Sequence, residues 1–174
     1  MAQLNGQTIL LRALEPEDLE FLFETENNML FWEMSDTQTP FSKYVLKQYL
    51  ENAHLDLFEA KQFRFIIEEK LHQKAVGMID LFDFNPQHQR AGVGILIHQL
   101  YQKNGFASEA LELLISYCFN TLQIHQLFAN ISADNLKSIA LFKKHGFQKA
   151  GIKKEWIKVG NHYKDEIIFQ LIRK

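Results

Sequence analysis

From residue 63 apolar side chains recur at every second position, two further apolar stretches follow over 75–84 and 90–97 across polar turns, and after residue 105 the apolar side chains recur at helical spacing. A chain with that switch in its middle builds an antiparallel meander and then lays a helix against it. Phe63, Phe65 and Ile67 alternate with Arg64, Ile66 and Glu68, the pattern of a strand with one packed face. The polar run 70–74 returns the chain into a second strand over 75–84, and Asn85-Pro86-Gln87-His88 turns it again. Residues 90–97 form the third strand, where Gly92 and Gly94 mark close backbone approach. The helix expected over 105–121 carries the stripe Ala107, Ala110, Leu111, Leu114, Ile115 and Cys118.

The flanks complete the pattern. Residues 8–14 read as a strand, and Pro16 suits a first helical position. Leu19, Leu22 and Phe23 form the apolar stripe of that first helix, with Glu26 and Leu30 near helical spacing and Asn27-Asn28 fraying its end. Residues 34–41 read as a polar loop. Ser42 caps a second helix running to about residue 60, with Val45, Leu46, Tyr49, Leu50 and Ala53 on its buried side. A short strand over 127–131 follows the 105–121 helix. Asp134 or Asn135 then caps a helix over 137–144, stopped at His145-Gly146-Phe147. Strands over 149–158 and 162–172, joined at Val159-Gly160-Asn161, close the chain. The expected fold is α/β: one mixed, mostly antiparallel central sheet with helices on both faces. No repeat or linker interrupts residues 1–174, so they are expected to form one domain.

Composition narrows the function. Among 174 residues, 47% are apolar and fifteen are phenylalanine, enough to fill a core. The single cysteine, Cys118, excludes an intramolecular disulfide framework, and no paired cysteines lie near histidines as a structural zinc site requires. A net charge of -2 gives no general attraction to nucleic acid. No basic segment leads into an apolar stretch at the start, and no run reaches the roughly 20 apolar residues that cross a bilayer. A soluble cytoplasmic protein without a membrane partner is expected. Glu15, Glu17, Asp18, Glu20, Glu24, Glu26, Glu33 and Asp36 fall between residues 13 and 42, a window with no lysine or arginine. That bias favours a cationic ligand through a local field, and against this stands its reading as acid at a helix N-terminus with a solvated outer face.

The stretch Tyr101-Gln102-Lys103-Asn104-Gly105-Phe106-Ala107 ends an apolar run and opens an amphipathic helix. Backbone N–H groups at such a turn suit phosphate oxygens, so a phosphorylated cofactor is expected there; Gly105 is equally explained by a positive φ. No Gly-x-Gly-x-x-Gly occurs, which argues against a dinucleotide turn.

Gln102-Lys103-Asn104-Gly105-Phe106-Ala107, then Asn135, Ser138-Ile139-Ala140-Leu141-Phe142 and Lys144-His145-Gly146-Phe147, resembles the GCN5-related N-acetyltransferase (GNAT) superfamily across essentially the whole chain. Residues 11–19 and 163–169 resemble its branch of bacterial spermidine acetyltransferases and ribosomal-protein N-terminal acetyltransferases. The resemblance implies acetyl-CoA as donor. Backbone N–H groups of Gln102, Lys103, Asn104, Gly105, Phe106 and Ala107 would hold the pyrophosphate, with Lys103 adding charge. The edge of Ile95 to Ile97 would pair with the pantetheine arm, in a slot where this strand splays from the next. Asn135 matches a family asparagine near the thioester, and is also read as a helix cap.

Amine acetylation requires a neutral nitrogen, a polarised carbonyl and protonation of the departing thiolate. Direct attack in a ternary complex is the expected route, and the resemblance implies the N–H near Ile97 on the thioester carbonyl. Glu33 is the first candidate to bind or deprotonate the acceptor; Asp80, Asp83 and His98 are alternatives. Phe142 stands where the family places a tyrosine that protonates the thiolate, so solvent, Tyr101 or Tyr163 would serve instead. A polyamine such as spermidine is the expected acceptor. A protein N-terminus or an amino sugar, or a CoA-binding sensor without turnover, are the alternatives. Phe31-Trp32 and the last strands offer a face for a homo-oligomer.

Overall fold

The structure, a computed structural model, describes residues 4–35 and 37–174, apart from the side chains of Glu33 and Met34. In chain order the elements are β1 (Ile9–Arg12), a 3-10 turn (Pro16–Asp18), α1 (Leu19–Glu26), α2 (Met29–Ser35), α3 (Lys43–Glu51), α4 (Leu57–Ala60), β2 (Phe63–Glu69), β3 (Lys74–Asn85) and β4 (Arg90–Ile97). A second 3-10 turn (Gln99–Tyr101) leads to α5 (Phe106–Asn120), β5 (Gln126–Ser132), α6 (Leu136–Lys144), β6 (Gln148–Val159) and β7 (His162–Ile172). The strands form one sheet in the order β1-β2-β3-β4-β5-β7-β6. Among the described residues only β4 and β5 pair in parallel; the other neighbours are antiparallel.

Alternation along the strands gives the sheet two packed faces. One carries Phe65, Ile67, Ile79, Leu81, Val93, Leu127 and Phe169 against Ala110, Leu111, Leu114 and Cys118 of α5 and Phe142 of α6. The other packs Ile66 and Met78 under Leu22 of α1 and Leu46 of α3. Each such aliphatic side chain contributes about 1.5–3 kcal/mol when taken from water.

Three expectations are corrected. The helix expected over 43–60 is two helices. Asn52 ends α3 by turning its amide back to the Gln48 carbonyl at 2.9 Å, and Asp56 starts α4 by accepting from the N–H groups of Phe58 and Glu59. The first part of the expected loop 34–41 is helical, being the end of α2, which follows the break at Asn27. Asn27 caps α1 and accepts the Phe41 N–H at 2.8 Å, tying that helix to the segment before α3. Val45, expected on the buried side of α3, is 46% exposed, because α3 turns Leu46 alone fully inward.

Candidate functional site

β4 and β5 pair only at Arg90↔Gln126, Ala91↔Leu127 and Gly92↔Phe128. Beyond Gly92, β4 stays with β3 as far as Gly77↔Ile97, while β5 stays with β7 as far as Ser132↔Glu166. The two strands therefore part into a slot. At the last shared rung the Phe82 ring lies over Gly92, where an added Cβ would sit 2.3 Å from Cε2. The same ring meets Phe128 edge to face at 5.6 Å. Gly92 is required here by close approach.

The free edge of the slot follows from the ladder. The His98 N–H donates to the Val76 carbonyl at 2.9 Å. Because antiparallel partners alternate, the polar groups of Leu96 and Gly94 also face β3, and those of Ile95 and Ile97 face the slot. The Gln102 side chain donates to the Ile97 carbonyl at 3.2 Å. Among the described residues, the Ile95 N–H and carbonyl and the Ile97 N–H have no partner.

The turn after β4 lies at the open end of that edge. Lys103 has φ 68° and Gly105 φ 81°, and the Asn104 side chain braces the bend by donating to the Tyr101 carbonyl at 3.0 Å. Among the described residues, no acceptor takes the N–H groups of residues 103–107, whereas Gln102 N–H reaches the Gln99 carbonyl at 3.4 Å. Left-handed residues leading into a helix N-terminus gather such donors into an anion-binding concavity. Nothing lies within 4 Å of a Cβ built on Gly105, so backbone conformation, not space, demands glycine there.

A cluster not foreseen from the sequence braces the first turn of α5. The Ser108 hydroxyl lies 2.8 Å from His145 Nε2 and accepts from Lys144 Nζ at 2.9 Å. Burial, then the charge of Lys144, holds the His145 imidazole below its ordinary pKa. Only its place in Lys144-His145-Gly146-Phe147 could have flagged it.

On the face beneath α1 and α3, Asp80 pairs across the ladder with Gly94. Both of its oxygens accept from Arg64, from Nε at 2.8 Å and Nη2 at 2.7 Å. Arg64 Nη1 bonds Glu26 of α1, and the guanidinium lies 5.9 Å from the centre of the Tyr49 ring. Burial opposes the charge of Arg64, but the two carboxylates outweigh it, so the group stays cationic. A cavity of about 100 Å³ opens here, lined in part by Tyr49, Asn52, Ala53, Arg64, Asp80 and Phe82. Above Gly94 the nearest atom to an added Cβ is a Phe82 ring carbon at 3.9 Å, so this face is open beside the slot. A larger, mostly apolar cavity of about 620 Å³, lined by Leu57, Phe58, Phe65 and Tyr117 among others, shares no residue with the slot or the turn.

The remaining candidates fall in different places. The Glu33 side chain and Asp36 lie outside the described residues. Asp83 has φ 48° and is exposed; the turn beside it is capped by Asn85, which accepts the His88 N–H at 2.9 Å. His98 caps the second 3-10 turn, its Nδ1 accepting from Leu100 N–H at 3.4 Å. A neutral ring in that arrangement carries its proton on Nε2, as a donor. Tyr101 lies in that same 3-10 turn, its ring centre 6.0 Å from His98. Asn135 caps α6 by accepting the Ser138 N–H at 3.2 Å. Phe142 is 3% exposed and packs on Phe147 edge to face at 4.9 Å. Tyr163 lies near the β6–β7 turn, opposite Lys158.

Three of the eight acids in the acidic window pair with cations from outside it. Asp18 takes Arg12 at 2.8 Å, Glu20 takes Lys43 at 2.7 Å, and Glu26 takes Arg64. The bias seen along the chain is thus partly internal ion pairing, a correction to the expected field.

The family model for the acetyltransferase (GNAT) domain matches residues 8–148. A spermidine N(1)-acetyltransferase of Escherichia coli (strain K12) is 28% identical over 172 residues, covering 95% of this chain and 88% of the relative. The crystal structure of spermidine N-acetyltransferase from Vibrio cholerae in complex with CoA and spermine superposes with TM-score 0.86 at 25% identity, covering 95% of each chain. A dodecameric structure of the Vibrio cholerae enzyme in an intermediate state gives TM-score 0.79 at 26% identity, covering 95% of this chain and 94% of that one.

Proposed function

The chain belongs to the acetyltransferase (GNAT) domain family, and from that premise we propose that it transfers acetyl from acetyl-CoA to a primary amine of a polyamine such as spermidine. The observation that carries the reading is the slot between β4 and β5, with unpaired groups of Ile95 and Ile97 along one edge and unpaired N–H groups of residues 103–107 at its end. A diphosphate fits those donors, and an extended amide-bearing arm fits that edge as an added strand does. The E. coli and V. cholerae relatives support the polyamine acceptor.

Bound there, acetyl-CoA supplies the acetyl group and a thiolate leaving group. Gly105, Phe106 and Ala107 hold phosphate through their N–H groups, and Lys103 adds charge. Gln102 releases the Ile97 carbonyl when the arm takes its place. The Ile97 N–H polarises the thioester carbonyl. Cys118 takes no part: burial pushes its thiol up to about 12, so it holds no thiolate at neutral pH. Direct attack by the amine is the route this leaves simplest. Asp80 binds the acceptor cation, and Glu33 on α2 is assigned to deprotonation on the sequence argument alone. Phe142 has no proton to give, and Tyr101, in the turn that follows β4, is assigned to protonate the thiolate.

The dodecameric relative supports homo-oligomerisation here too, with Trp156, 61% exposed on the edge strand β6, as one contact; light scattering that finds only monomer would overturn this. No helix among the described residues is long and apolar enough to cross a membrane.

Thiol release from acetyl-CoA, measured with spermidine, spermine, amino sugars and peptides, tests the function. Release dependent on polyamine is expected. Release with a peptide N-terminus alone would move the acceptor to protein, and CoA binding with no release would make the chain a sensor.

A further inference from the structure

Arg64 bridges three elements around the small cavity: its own strand β2, β3 through Asp80, and α1 through Glu26, with Tyr49 of α3 beneath the guanidinium. Removing that cation would leave two carboxylates facing one partly buried space. Like charges so placed push apart, and Asp80, the more open of the two, is the one free to turn toward solvent and lose its fixed plane. The fork of Arg64 meets both Asp80 oxygens and so fixes the plane of the carboxylate, which a single ammonium contact cannot do. Each oxygen keeps a further lone pair.

Of the three side chains, Asp80 is the most open, at 30% against 21% for Arg64 and 14% for Glu26. Two carboxylates against one guanidinium leave one net negative charge. Asp80 is also the member that shares a rung with Gly94, where the face beside the slot is uncovered. We infer that Arg64 is a positioning residue for the acceptor: it holds Asp80 so that the spare lone pairs orient an incoming ammonium toward the slot. This rests on the polyamine reading above. Arg64 itself touches no reacting atom, and its effect runs through Asp80.

Steady-state kinetics with spermidine and acetyl-CoA varied independently test the inference on R64Q, R64K, D80N and the R64Q/D80N double variant. R64Q should raise the spermidine KM about tenfold, with kcat changed less than about twofold and the acetyl-CoA KM unmoved. R64K should fall between R64Q and wild type, because its ammonium keeps the charge but not the fork. The double variant should be no worse than D80N, since two residues acting through one contact are not additive. An unchanged or lowered spermidine KM in R64Q, or losses that multiply in the double variant, would overturn the inference. Should R64Q fail to fold, R64K decides the matter, and a wild-type spermidine KM there would refute it. Wild-type protein that acetylates no amine removes the functional reading, whereas active wild type with an unaffected R64Q removes this inference alone.

Discussion

The Glu109 carboxylate, in the first turn of α5, accepts the Thr8 N–H at 3.0 Å and also the Thr8 hydroxyl. It thereby pins the stretch before β1 to the helix whose N-terminus forms the anion-binding turn. Close packing accompanies it, for a Cβ on Gly6 would lie 2.1 Å from Glu109 Oε1. Burial alone would raise the Glu109 pKa, but bonds from the Thr8 hydroxyl and from the N–H groups of Thr8, Gln7 and Ile9 outweigh it and hold it below the ordinary range. A carboxyl depressed in the folded state adds stability above its unfolded pKa, about 4.3, and loses it as pH falls through the folded value. E109Q should therefore lower Tm by about 2–4 °C at pH 7, with a smaller gap to wild type at pH 3, below the unfolded pKa. Calorimetry at both pH values checks this, and an equal gap at both would refute it. Such a contact was invisible in the sequence, because nothing local links positions so far apart. The thiol of Cys118 was legible from its place on the α5 stripe. Arg64 read as the polar side of an alternating strand, and only the fold shows that its side faces Asp80 and Glu26.

At the scale of elements, β4 was legible to the residue, and β3, β7 and α5 to within a residue or two, since their apolar periods are long and bounded by turns. The elements that mattered less to the period were misread. Asn52 and Asp56, a helix stop and a helix cap, divide the stretch after Ser42, and their local hydrogen bonds won over the continuing apolar pattern. Gly92 and Gly94 were recognised as close-approach positions, but they differ. Gly92 lies under a phenylalanine ring, and Gly94 borders open space. A side chain is therefore tolerated at Gly94 by the packing while intruding on the face where the acceptor is proposed to lie. G94V should raise the spermidine KM about tenfold or more while leaving CoA affinity within about twofold. Titration calorimetry with CoA beside amine kinetics separates the two, and a matched loss of both would contradict the assignment of that face.

For the whole molecule, the parting of β4 from β5 is the feature on which function turns. The residues along it were readable as a motif, yet the slot is a property of the sheet order, in which β5 leaves β4 for β7. The acidic first fifth of the chain shows the opposite case. It was conspicuous along the sequence, and the fold pairs three of its eight acids with Arg12, Lys43 and Arg64. In the proposed function, cation selectivity is assigned to a placed carboxylate, Asp80, and not to a broad field. The central claim is that main-chain donors at residues 103–107 and at Ile95 and Ile97 grip coenzyme A. Amide hydrogen exchange with and without saturating CoA measures this directly. Slowed exchange concentrated in 95–97 and 103–107 is the predicted result, and bound CoA that leaves those amides unprotected, or protects a different part of the sheet, would contradict it.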